Sequence, residues 1–318
     1  MEEFRYLSAD GSTQIHAVCW LSDGAPRAVL QIVHGVNEYI ERYRLFAEFM
    51  ANHGYAVFGA DLLGHGQSVT DKKDLGYIGK GGNELLIRDI DELRRIAGER
   101  YPELPYLIMG SDVGSFLVRQ YLVEGDPLFA EDVCGAVLVG TGWLPESIVH
   151  MRKMLSGFSG MFLGEHYRSR LIDRMNWVGY NRRIQNPKTK NDWLSRDEAV
   201  VERFEEEPLC QVCPTVNAYY NIFKGIEISQ DTRRMERLPA NLSLLLISGA
   251  EDPAGDYGDG VRKAYMEYLE HSPCDVYIKL YEGDRHEILN EMNRERVFGD
   301  LLKWTDSFID KKVDRRGE

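Results

Sequence analysis

The chain has little cysteine, no long apolar run and a shortage of positive charge, and each shortage excludes something. Five cysteines in 318 residues (Cys19, Cys134, Cys210, Cys213 and Cys274) are too sparse and odd a set for a disulfide scaffold, and they suit a reducing cytoplasm. Cys210 and Cys213 form a lone CxxC with no second pair and no nearby histidine pair, so they read as ordinary residues rather than as a zinc site or redox dithiol. The longest apolar stretches, such as 242–247, fall far short of the roughly 20 residues that cross a bilayer. The opening Met1-Glu2-Glu3-Phe4-Arg5 has neither a basic n-region nor an apolar h-region, so no signal peptide is expected. With 38 Lys+Arg against 51 Asp+Glu, the formal charge of −13 repels phosphate backbones and anionic surfaces, and nucleic acid is not an expected partner. No metal-ligand constellation and no phosphate-cradling glycine loop is present, so no metal and no cofactor is expected.

What is present is globular: 43% hydrophobic and 28% charged residues exclude a disordered tail, a collagen and a coiled coil. The length matches about two average domains, yet large α/β folds use as much for one core with an insertion. β-branched runs at 13–20 and 28–33, read as an opening pair, and then at 55–60, 106–109, 135–139, 242–247 and 276–281 alternate with helical patterns. The helical faces are marked by Tyr43, Phe46, Phe49 and Met50, by Leu85, Ile90, Leu93 and Ile96, and by Leu301, Trp304 and Phe308. This alternation predicts an α/β fold with a mostly parallel sheet. It stops over 143–238, which predicts an inserted helical cap between core segments 1–142 and 239–318. Within the cap, Ile148, Met151, Leu155, Phe158 and Phe162 form an apolar stripe; packing on its own domain is the default for such a stripe, a lipid or membrane contact the alternative. The charged tail 311–318 is expected to fray.

Chemistry is concentrated in turns after strands. His34-Gly35-Val36-Asn37-Glu38 offers a glycine turn whose backbone N–H groups can face a developing oxyanion. Asp61-Leu62-Leu63-Gly64-His65-Gly66-Gln67-Ser68 follows the next strand, and Gly110-Ser111-Asp112-Val113-Gly114-Ser115 joins a strand to a helix. Gly249-Ala250-Glu251-Asp252-Pro253 and Gly283-Asp284-Arg285-His286-Glu287 close the series.

Together these motifs resemble the α/β-hydrolase fold, and more narrowly its monoacylglycerol lipase and lysophospholipase-like branch, over nearly the whole chain. The resemblance implies an α/β core with an inserted helical cap and hydrolysis of carboxylic esters. It implies His286 as base, Asp252 as the carboxylate that orients it, with Glu251 and Asp256 as rival acids, and the N–H groups of Val36 and Val113 as oxyanion hole. Ala60, Leu62, Ser111, Leu144 and Ala254 are the expected substrate pocket, and histidines 16, 53, 150, 166 and 271 match no functional position.

The departure lies at the elbow, where the G-x-nucleophile-x-G pattern places Asp112 instead of serine. Ala60-Asp61-Leu62 and Ser111-Asp112-Val113 also replace the His-Asp-His and His-Ser-Met common in this branch, which implies a repurposed or engineered active site. An aspartate is ionised at neutral pH without a base. Beside His286 it should keep the histidine charged and have its own pKa lowered. Ester hydrolysis is therefore expected to be weak. Two other enzymatic uses remain open: Asp112 as a nucleophile on a halide or epoxide, and Asp112 as a general base on a carbon acid, as in a Kemp elimination. Haloalkane dehalogenases and epoxide hydrolases of the same fold use such a nucleophile, but this chain has Val113 and Asn37 where their motifs place Trp or Arg and Pro. A non-catalytic binding protein for a small apolar ligand is the third reading.

Overall fold

The computed structural model describes residues 1–124 and 133–316. Eight strands form one sheet: β1 Glu2–Leu7, β2 Gln14–Trp20, β3 Ala28–Val33, β4 Tyr55–Ala60, β5 Tyr106–Ser111, β6 Val133–Val139, β7 Ser243–Gly249 and β8 Asp275–Tyr281. Their spatial order is β1-β2-β4-β3-β5-β6-β7-β8, antiparallel where β2 meets β1 and β4 and parallel from β4 onward. The core is thus a mostly parallel α/β sheet, as the alternating pattern predicts.

Strands β3 to β7 are buried almost throughout because helices cover both faces of the sheet. On one face lie α2 Gly82–Arg100 and α3 Val113–Glu124, whose Leu86, Ile90, Leu93, Leu117 and Tyr121 join one apolar cluster. On the other, α1 Arg44–Asn52 and the last helix bring Phe46, Met50, Phe298 and Leu301 into a second.

Three expectations need correction. The runs at 13–20 and 28–33 are not paired with each other, because β4 lies between them. The buried face of α2 is Leu86, Asp89, Ile90, Leu93 and Ala97, with Leu85 and Ile96 only half-buried, so the helix is rotated from the predicted face. The last helix continues to Arg316 where charge predicts fraying, and 317–318 of that tail lie outside the described residues.

Between β6 and β7 the chain is helical: α4 Glu146–Leu163, α5 Arg170–Trp177, α6 Glu198–Glu206, α7 Val216–Ser229 and α8 Thr232–Met235. Helix α7 packs on α3 and α2, so this segment ends inside the core's own packing. The default reading of the α4 stripe holds for the helix, which packs on α7, and for Leu155, but not for the exposed members of the stripe. That helix meets α7 through Val149, Ser156, Gly157 and Gly160, whose small side chains permit close approach, and Met151, Phe158 and Phe162 are left exposed. No described helix is long and apolar enough to cross a membrane.

Candidate active site

The turn between β5 and α3 holds Asp112 at φ +51°, a left-handed conformation that aspartate tolerates better than most side chains. Close packing fixes it. A Cβ on Gly110 would lie 2.2 Å from the Gly114 carbonyl oxygen, and one on Gly114 would lie 2.3 Å from that of Val33. Glycine is therefore required on both sides of the turn.

Two further turns converge on Asp112. The Val36 N–H donates to its Oδ2 at 3.0 Å, and the Val113 N–H also favours its charged form. On the other side, His286 Nε2 lies 3.7 Å from Oδ1. His286 Nδ1 lies 3.0 Å from both oxygens of Asp252, which also accepts from Ser248 Oγ at 2.8 Å and the Ala254 N–H at 2.9 Å. The rival acids Glu251 and Asp256 are exposed. The five residues Asp112, His286, Asp252, Val36 and Val113 thus meet at one point of the fold. Ser115 does not join them, because its hydroxyl donates to the Asp112 carbonyl at 2.6 Å.

Electrostatics separate the two titrating groups. Burial alone would discharge His286, but Asp252 and then Asp112 outweigh it and raise its pKa to about 10. The expected lowering of Asp112 is wrong in sign. Burial dominates over the attraction of His286 and pushes the carboxyl up to about 6. At neutral pH these shifts pair an ionised Asp112 with a protonated His286.

Beneath the site, Glu38 accepts from the Gly35 N–H at 2.8 Å and the Tyr43 hydroxyl at 2.7 Å. Arg42 lies 3.4 Å from Glu38 and 2.6 Å from Glu287, so one largely covered cation ties the Gly35–Val36 turn to the residue after His286. Asp61 likewise pins the second turn, accepting from Ile40 and Gln67 N–H groups at 2.7 Å each, with His16 at 2.9 Å.

A cavity of about 410 Å³ opens onto this constellation and is lined by Val36, Asp112, His286, Glu38 and Glu287 together with cap residues. Its aromatic wall is Trp177 stacked on Trp193, with ring centroids 5.6 Å apart, and Trp193 lies 4.9 Å from the His286 ring. None of the five expected pocket residues lines it. Ala60 and Leu62 are buried in the cluster beneath α2, Leu144 packs at the edge of the α7 cluster, Ser111 ends β5, and Ala254 serves Asp252 through its N–H. Residues of the segment between β6 and β7 take their place. Among them are Cys210 and Cys213, whose thiol pKa values are raised, by burial first, that of Cys210 to about 12. Nothing in their spacing marks Trp177 or Trp193 as cavity residues, because the fold of this segment decides which side chains face inward. No group of three or more His, Cys, Asp or Glu among the described residues is arranged to hold a metal.

Comparison with known proteins agrees with this geometry. The family model for serine aminopeptidase, S33, matches residues 24–293. Monoglyceride lipase of Rattus norvegicus is 25% identical over 90% of this chain and 84% of its own length. Monoacylglycerol lipase of Mycolicibacterium smegmatis is 24% identical over 94% and 95%. The structure of a thermostable carboxyl esterase from Bacillus coagulans superposes with a TM-score of 0.89 at 27% identity, covering 97% of this chain and 98% of that one. With the turns, the sheet order and the family model in agreement, the chain belongs to the serine aminopeptidase S33 family of α/β-hydrolases, in its monoglyceride lipase-like branch.

Proposed function

We propose that the protein is a hydrolase whose reacting group is the Asp112 carboxylate, acting by displacement at a saturated carbon, with ester hydrolysis reduced to a weak residual activity. One observation carries this reading: the Val36 N–H is already satisfied by Asp112 Oδ2. An ester's tetrahedral oxyanion would have to compete with a resident negative charge for that donor, which removes the main source of transition-state stabilisation in acyl transfer. Displacement at carbon has no such requirement. Oδ1 attacks the carbon, the carbon–oxygen bond of a strained ether such as an epoxide breaks, and the leaving oxygen takes its electron pair and the Nε2 proton of His286. His286 is then a neutral base beside an alkyl ester of Asp112 whose carbonyl oxygen lies in the hole. It takes a proton from water, the hydroxide adds to the ester carbon, and collapse releases the alcohol and regenerates the carboxylate.

The test is intact-mass measurement of the enzyme acid-quenched during turnover of 1,2-epoxyhexane, with His286 kept because the first step takes its proton. The expected result is a mass gain of one substrate, absent in Asp112→Asn. A second reading, Asp112 as general base, is favoured by its burial-raised basicity. Benzisoxazole turnover with no adduct would select it. Neither adduct nor turnover, with ligand still bound, would leave a binding protein.

We also place the α4 face against lipid: Met151, Phe158, Met161, Phe162 and Leu163 are each 45% to 78% exposed on one helix. The five free thiols suit a reducing compartment.

A further inference from the structure

The charges lining the cavity are unequal in one respect. Its carboxylates all have partners: Glu38 and Glu287 share Arg42, Asp112 faces His286, and Asp173 accepts from the Tyr219 hydroxyl at 2.6 Å and the Trp177 indole N–H at 3.2 Å. Its outer cations do not. Among the described residues Arg174 makes no side-chain hydrogen bond or ion pair, and Lys190 reaches only the amide oxygen of Gln211 at 3.2 Å. Both line the same cavity as Asp112, and both are exposed at its rim. The same cavity is lined by the buried Trp193, Leu194 and Phe204 and by Trp177 and Val212, with Asn37, Asn191 and Gln211 as neutral polar members.

We infer that Arg174 and Lys190 select a substrate with an oxyanion, a carboxylate or a phosphate ester, at the end of an apolar body whose other end reaches Asp112. This rests on the cavity being the substrate site, and so deepens the reading above. Arginine suits the bidentate geometry of such an anion and lysine adds a point charge. A neutral ligand of the same length would leave both cations without a counter-charge while burying the same apolar surface. The anion also compensates for an unfavourable feature of the deep end, where the reacting group is itself negative: holding the substrate's charge at the rim keeps it away from Asp112.

The experiment uses the unmodified enzyme and unreactive probes, so it does not depend on turnover. Binding of decanoate, decyl phosphate and decanol is measured by calorimetry below their aggregation thresholds, at low and high salt. At low salt at least one anion should bind about tenfold tighter than decanol, corresponding to about 1.4 kcal/mol, and added salt should erase most of the gap. The Arg174→Gln/Lys190→Gln variant should bind all three probes like decanol, with the circular dichroism spectrum and melting temperature of the unmodified enzyme. Decanoate alone preferred identifies the carboxylate, and decyl phosphate alone the phosphate. Equal affinities of the three probes, or a preference that survives the double variant, overturns the inference. An anion preference without any covalent adduct would sink the displacement chemistry and leave the rim assignment standing.

Discussion

At the scale of single residues, the proposed displacement makes the pH behaviour depend on Asp112. That reaction would need the carboxylate, formed above a pKa of about 6, and the His286 proton, held up to a pKa of about 10. Epoxide turnover should therefore rise with pH through about 6, hold a plateau, and fall near 10; a profile flat from pH 4.5 to 8 would contradict it. Stability runs against activity. A folded pKa above the unfolded value means that the protonated form favours folding, so the contribution of Asp112 is fully present below about 3.8 and is lost as pH rises through about 6. The difference is at most about 3 kcal/mol. Asp112→Asn should accordingly raise the melting temperature at pH 8, and the gain should shrink by about half at pH 5. The identities Asp112, His286 and Asp252 are legible in the sequence because a strained turn demands its flanking glycines and the motifs keep their order. The direction of the Asp112 shift is not legible, since it depends on how deeply neighbouring segments bury the turn.

At the scale of elements, the segment Asp192–Leu194 and the two residues after it are fastened to the loop bearing His286. The His286 and Glu287 N–H groups donate to the Trp193 and Leu194 carbonyls at 3.3 and 2.7 Å, and Arg285 donates to those of Asp192 and Ser195 at 2.7 and 2.9 Å. Arg196 then pairs with Asp284 and Glu291, both fully buried. This wall of the cavity is consequently part of the catalytic scaffold and should not open as a lid. Arg196→Met would leave two buried carboxylates without their cation, and breaking such a pair costs about 3–5 kcal/mol; the partial exposure of Arg196 puts the expected loss near the lower figure. Urea denaturation checks it, and a loss below about 1 kcal/mol would show that the clamp is dispensable. Seven of the eight strands are legible because their short apolar runs are buried and alternate with helical patterns. Strand β1 is missed although Phe4 and Tyr6 alternate with charged residues, since an edge strand that is half solvated carries little apolar signal. The exposed stripe of α4 is misread for a related reason: periodicity identifies a face, but the small Ser156, Gly157 and Gly160 decide which face packs.

At the scale of the whole molecule, the net charge conceals a segregation. Residues 146–192 carry nine Lys and Arg against four Asp and Glu, a local +5 in a chain of −13, so the remainder carries −18. That segment includes α4 with its exposed Met151, Phe158, Met161 and Phe162, and the following Leu171 and Val178 are also more than half exposed. The overall repulsion from anionic surfaces therefore need not apply to this face, because at physiological salt interactions beyond about 8 Å are largely screened and the nearest charges decide. Sedimentation with vesicles should show binding that is stronger with anionic than with purely zwitterionic lipid and that weakens with salt. Phe162→Glu removes an apolar contact worth about 2 kcal/mol and adds an unfavourable charge, so it should reduce binding to both vesicle types. A charge reversal at Arg170, exposed beside Leu171, should reduce only the anionic preference. Binding unaffected by Phe162→Glu would place the contact elsewhere, and no binding to either vesicle would overturn the placement of α4 against lipid.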